Sequence, residues 1–317
     1  MPVKSKTKRA PYGSIPKSLR RPCDPKRAKR QDGWDKEQND ILRSYEAKGT
    51  YHGPKSVSCK VQQELKEKLD RDRSVHSIQQ QLFKLGINVR KQEFDKFKII
   101  DSDEVAYWVG MLSADGCNCK GYIVLPNTCE QTVKNFKEWT GVDNEIQHYP
   151  PAPKEIRGKK FISKEKWAFS FKNPEAALDL TNVGCGPAKS FTHEFPTKNQ
   201  IPHNLLASHT RGYFDGDGCV YWAAADKSPC WGVSTIGASP YIKGLQKMLE
   251  QIFGENFKSS IGWDKRPTEP MPSLRIRENK SLLQFLEWMY ENSTEKTRMA
   301  RKYKLSMRAI KWLKERV

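Results

Sequence analysis

The chain has 317 residues, with 56 Lys and Arg against 37 Asp and Glu, a formal net charge of +19. That excess points to a polyanionic partner, because each Lys or Arg set against a phosphate releases a condensed counterion. No run of 18 apolar residues occurs and the start has no apolar signal core, so neither a membrane span nor secretion is expected. The expected setting is therefore cytoplasmic or nucleoid-associated, or organellar in a eukaryote. The eight cysteines are scattered, and only Cys117-Asn118-Cys119 forms a close pair. No zinc site is expected from such spacing, and reduced thiols are.

The length allows two or three domains. Residues 1–32 are rich in Lys, Arg and Pro, contain few large apolar side chains and form an expected disordered basic arm. Over 33–92 the pattern turns helical. Trp34, Ile41, Leu42 and Tyr45 follow Asp35 at helical spacing, and Val57, Val61, Leu65 and Leu69 recur every four residues. A third run is started by Ser74 and stopped by Gly86, with Ile78, Leu82 and Leu85 inward. Its outward face is read as Ser77, Gln80, Gln81 and Lys84, side chains able to bond phosphates or base edges. Three short helices in this order resemble a helix-turn-helix domain. A charged linker is expected over 91–102.

Two stretches then say nearly the same thing. Gly110-Met111-Leu112-Ser113-Ala114-Asp115-Gly116-Cys117 is echoed by Gly212-Tyr213-Phe214-Asp215-Gly216-Asp217-Gly218-Cys219, with the aspartates 102 residues apart. Such self-similarity indicates one unit repeated. Gly110 with Ala114, and Gly212 with Gly216, place small residues on one helical face, where two helices can approach closely. Asp115 and Asp217 fall at the helix C-termini, where a carboxylate opposes the helix dipole. Gly116 and Gly218 suit the left-handed position that ends a helix. Two such helices side by side would bring the misplaced carboxylates together, and a cluster of hard oxygens calls for a cation such as Mg²⁺.

The order after each motif also repeats. In 103–198, strands are expected at Tyr122–Leu125, Ile146–Tyr149 and Trp167–Phe171, with helices over Glu130–Trp139 and from Asn173-Pro174 to Asn182. A basic loop with Lys154, Arg157, Lys159, Lys160, Lys164 and Lys166 separates the second and third strands. In 199–317 strands are expected at Trp231–Ile236, Phe257–Trp263 and Leu274–Arg277, with helices from Ser239-Pro240 to Gly254 and over Ser281–Tyr290. In Ser273-Leu274-Arg275-Ile276-Arg277 the alternation sends Leu274 and Ile276 inward and the two arginines outward. A final basic helix over Thr294–Val317 is read with Ala300, Tyr303, Leu305, Ala309, Ile310 and Leu313 inward and Lys302 among its outward cations.

The paired stretches resemble the LAGLIDADG motifs of homing endonucleases, in the form where one chain carries both copies, over roughly residues 103–303. The resemblance implies an α+β fold: two pseudo-symmetric αββαββα repeats forming a DNA-binding saddle, preceded by the small all-α domain. It implies a monomer that makes a double-strand break in a long asymmetric site on double-stranded DNA by Mg²⁺-dependent hydrolysis, with Mn²⁺ able to substitute. Asp115 and Asp217 take the catalytic and metal-ligating position, with Gly116 and Gly218 beside them. Ser113 and Asp215 take an acidic position that usually holds no metal. Arg275, Arg277, Lys159, Lys160 and Lys172 are the expected DNA contacts of the sheets, and Gln80, Gln81 and Lys84 those of the first domain. Lys189 or Lys265, with Arg266 beside it, are candidates for a basic group near each metal. The rival readings are a maturase that binds intron RNA and a transcription regulator on the same fold.

Overall fold

A computed structural model describes residues 33–45, 57–87, 94–156, 158–224, 229–264 and 270–317. The expected basic arm over 1–32, residues 88–93, Lys265 and Arg266 lie outside the described residues, as does Arg157.

Three helices come first: α1 (Lys36–Arg43), α2 (Val57–Leu69) and α3 (Val75–Lys84). Asp35 accepts from the Gln38 N–H and Ser74 from the Ser77 N–H, so short polar side chains satisfy helix-start donors that would otherwise lack partners. Leu42, Val57, Val61, Leu65, Ile78, Leu82 and Ile87 pack into a small core separate from the main one.

The main body is built twice. The first repeat runs α4 (Asp103–Ala114), β1 (Cys117–Cys119), β2 (Tyr122–Asn127), α5 (Glu130–Thr140), β3 (Gln147–Tyr149), β4 (Pro153–Ile156), β5 (Lys159–Ile162), β6 (Lys166–Lys172) and α6 (Pro174–Asn182). The second runs α7 (Leu206–Asp217), β7 (Gly218–Ala223), β8 (Cys230–Ile236), α8 (Ser239–Phe253), β9 (Ser260–Asp264), β10 (Met271–Ile276) and α9 (Asn279–Tyr290), followed by α10 (Ala300–Lys314). The antiparallel sheets have matching orders, β1-β2-β6-β3 and β7-β8-β10-β9. Setting aside the β4–β5 ribbon, both repeats are αββαββα, as the sequence implied. Their helices and sheets share one continuous hydrophobic core.

Local chemistry explains the boundaries. Asn173 caps α6 with Pro174 in its first turn, and Gly141 ends α5 at φ 70°, where a side chain would be strained. Three expectations need correction. The basic loop contains a two-stranded antiparallel ribbon, β4 with β5, because Gly158 (φ 75°) supplies a left-handed turn residue. The strand expected from Phe257 begins at Ser260, since the Phe257 N–H closes a turn onto the Gly254 carbonyl and the Lys258 N–H donates to Ser281 Oγ. Gly116 and Gly218 are not left-handed. Gly218 has φ −95° and ψ 163°, and Gly116 is not among the glycines of positive φ. Both are required sterically: a Cβ at Gly116 would lie 2.6 Å from the Leu112 carbonyl oxygen, and one at Gly218 would lie 2.2 Å from the Phe214 ring.

Candidate active site

The site is made by α4 and α7 lying backbone to backbone. A Cβ on Gly110 would stand 2.0 Å from the His209 carbonyl oxygen, and one on Gly212 2.0 Å from that of Tyr107. Further along, a Cβ on Gly216 would meet Ala114 at 2.4 Å and the Asp115 carboxyl carbon at 3.4 Å. The small residues at four-residue spacing are therefore the contact itself, and the Asp115 carboxyl lies against the end of the opposite helix.

Asp115 and Asp217 are half-buried at the two neighbouring helix ends. Burial first, and the charge of Asp217 second, push the Asp115 carboxyl up to about 6. Two negative helix ends and two carboxylates thus share one space, a field that favours a cation. The Asn127 side-chain amide donates to Asp115 Oδ2 at 2.8 Å, which orients that carboxylate. By strand register the position corresponding to Asn127 in the second repeat is Gly237, which carries no side-chain amide.

Two lysines reach the helix ends. Lys189, half-buried after α6, donates to the Gly116 carbonyl. Lys302 on α10 is only 4% exposed and donates to the carbonyls of Phe214 and Asp215, both at 2.7 Å, and of Gly216 at 3.3 Å. An ammonium there satisfies carbonyls that end a helix and complements its dipole. The reading of Lys302 as outward is thus corrected. It lies in phase with the buried Ser306, Ala309 and Leu313, a lysine in the inward register of an amphipathic helix. That phase was the sequence signal for it; Asn127 offered no comparable one. The Gly116 carbonyl, expected beside the metal, accepts from the Lys189 ammonium. Gly218 opens β7, paired with Thr235.

Asp215 is turned away from this space. It is 1% exposed and accepts from the Met299 N–H at 2.6 Å and from the Tyr107 hydroxyl at 3.0 Å. Arg211, fully buried, donates to the carbonyls of Thr297 and Met289 and to Ser208. These bonds fasten α7 to the segment between α9 and α10.

The remaining candidates lie apart. On the open face of the second sheet Arg275 and Arg277 are exposed while Leu274 and Ile276 are buried, as the alternation required. The Arg275 guanidinium lies across Gly262, and the Tyr221 ring across Gly232. On the first sheet the exposed Lys172 sits over the Tyr122 ring, and Lys166 over that of Tyr149. Lys159 and Lys160 open β5, with Lys160 exposed. In the N-terminal domain Gln80 and Lys84 are exposed, but Gln81 is half-buried and donates to Asn39 on α1. It therefore holds two helices together and does not face outward as expected.

No family model matches the chain, and no curated protein matches it. Among solved structures it is similar to the homing endonuclease I-WcaI bound to its DNA recognition sequence. Identity there is 12% over 70% of this chain and 96% of that one, with a TM-score of 0.43. It is similar also to the LAGLIDADG meganuclease I-AabMI bound to uncleaved DNA (11% identity, 66% and 91% covered, TM-score 0.42). A third is the LAGLIDADG homing endonuclease I-GzeII in complex with its DNA target (11%, 66% and 89%, 0.40). The likeness is to LAGLIDADG homing endonucleases. Within this chain the two repeated stretches that resemble the LAGLIDADG motif are α4 and α7 with their terminal aspartates, and the two sheets follow them in matching order.

Proposed function

We propose that this chain is a site-specific DNA endonuclease that breaks both strands of a long asymmetric duplex site with a divalent metal, Mg²⁺ or Mn²⁺, held at Asp115 and Asp217. The observation that carries this reading is the pairing of two half-buried carboxylates at adjoining helix C-termini, where burial first and the Asp217 charge second raise the Asp115 pKa. Ionised acids in that field need a cation to offset them. Among the described residues no group of three or more His, Cys, Asp or Glu could hold a metal. The oxygens of two aspartates fit a hard divalent ion only if phosphate and water oxygens complete its shell, the donor set of an ion that binds together with DNA.

Such an ion supplies activation of a water and stabilisation of the attacking and leaving oxygens of a phosphodiester. The protein does the rest. Asn127 fixes the Asp115 carboxylate, and Lys189 and Lys302, bonded to the helix-end carbonyls, hold positive charge near it. Sheet residues Arg275, Arg277, Lys172 and Lys160 offer cations to phosphates and base edges. Each motif serves one strand, so a single chain makes the double break as a monomer, and the unlike halves read an asymmetric site.

The test is cleavage of a plasmid library in Mg²⁺ and in EDTA by the wild type and by Asp115→Asn/Asp217→Asn. Mg²⁺-dependent cutting at a rare site, lost in the double variant, is expected. Tight binding to intron RNA with no cutting by any form would replace this reading with that of a maturase.

A further inference from the structure

We infer that α3 is a second DNA-reading element, separate from the two sheets, with Phe83 as its apolar base contact. Helix α3 buries Ile78 and Leu82 and turns His76, Gln79, Gln80, Phe83 and Lys84 to solvent. At 86% exposed, Phe83 is the most exposed of the large apolar side chains on the described surface. Phe83, in the last turn of a helix whose solvent face is otherwise polar, contributes nothing to the small core beneath it, so its ring is available to a partner. Its neighbours state the partner's chemistry. Gln79 and Gln80 precede it by one turn on the same face, Lys84 follows it, His76 lies two turns back, and α3 carries no acid.

Glutamine pairs with adenine edges in the major groove, lysine with guanine or phosphate, and a Phe ring with the thymine methyl group. One ring is little of the apolar centre that a protein interface buries, while a face with Lys84 and no acid complements a polyanion. The scaffold is rigid enough to present the helix. Gln62 on α2 donates to the Arg73 carbonyl in the turn before α3, Arg73 bonds Gln38 and stacks on Trp34, and Gln81 bonds Asn39. Helix α2, a short turn and α3 thus form a unit that can set one helix into a major groove.

The partner, duplex DNA, is taken from the function proposed above, and the experiment scores the two separately. The full-length chain, in EDTA to prevent cutting, selects from a random duplex library, alongside Phe83→Ala and Gln80→Ala. Wild type is expected to prefer two blocks of bases, one for the sheets and one for α3. Both substitutions should flatten the α3 block, by about tenfold in preference for Gln80→Ala, and leave the sheet block intact. Replacing a thymine of the α3 block by uracil removes one methyl group. It should weaken wild-type binding by about fourfold and leave Phe83→Ala unaffected. A single block identical in all three proteins, or an equal response to uracil in wild type and Phe83→Ala, overturns the inference. A missing sheet block with the α3 block present would instead count against the endonuclease reading. Phe83 is exposed, so its loss should leave the circular dichroism spectrum unchanged.

Discussion

Asp115 carries the tension of the site in one carboxyl group. In the fold it holds its proton up to about pH 6, against an ordinary value of 3.8, chiefly because it is buried and secondly because Asp217 is near. The folded state therefore binds that proton more tightly than the unfolded chain. Stability from this group is full below about pH 4 and is lost as the pH rises to about 6, by up to about 3 kcal/mol. Asp115→Asn cannot ionise, so in EDTA at pH 8 it should be the more stable protein, by that amount at most. At pH 4 the gap should close. Urea denaturation at the two pH values measures it, and equal stabilities at pH 8 would show that the carboxylate is well solvated. On the proposed function divalent metal would reverse the preference, because it binds the ionised form. Mg²⁺ affinity by calorimetry should accordingly fall as the pH drops through 6.

At the level of elements, the contact between α4 and α7 depends on residues that have almost no side chain. Gly110→Ala would drive a methyl group into the His209 carbonyl and the Tyr213 N–H, both of them backbone. No rotamer can relieve that contact, so the helices must part and both aspartates move. A loss of about 3 kcal/mol or more is expected in chemical denaturation, with cleavage lost beyond what the stability change explains. Gly141→Ala is the comparison. It meets no atom within 4 Å but is strained at φ 70°, so it should cost only about 1 kcal/mol and leave the site alone. The same packing was legible in the sequence, because small residues repeat at four-residue spacing in both motifs. The reason for Gly116 and Gly218 was not, since a helix-ending glycine and a glycine excluded by a neighbouring ring look alike in one dimension.

Across the whole molecule the two halves are alike in topology and unlike in chemistry. Asn127 steadies Asp115, while register puts Gly237 at the matching place. Lys302 is buried against the end of α7, while Lys189 reaches the end of α4 from a loop. Asn127→Ala should therefore slow cutting of one strand only, and a supercoiled plasmid carrying the site should accumulate as a nicked circle. Equal slowing of both strands, with no nicked intermediate, would mean that the halves act as one unit.

What the sequence determined alone was the part written in periodic or repeated form. The duplicated motif set the two aspartates and the glycine contact. The alternation in β10 put Arg275 and Arg277 on the open face, and Asn173-Pro174, Ser74 and Gly141 marked helix ends through their own local hydrogen bonds or backbone angles. Tertiary structure decided what depends on groups far apart in the chain. Lys302 turns inward because the carbonyls ending α7 need a donor more than its ammonium needs water, and that partner lies over 80 residues earlier. Asp215 is withdrawn from the site because Tyr107 and Met299 are folded against it, and Gln81 because Asn39 is. A polar side chain is placed by whichever partner removes its cost of leaving water, and that partner is known only once the chain has folded.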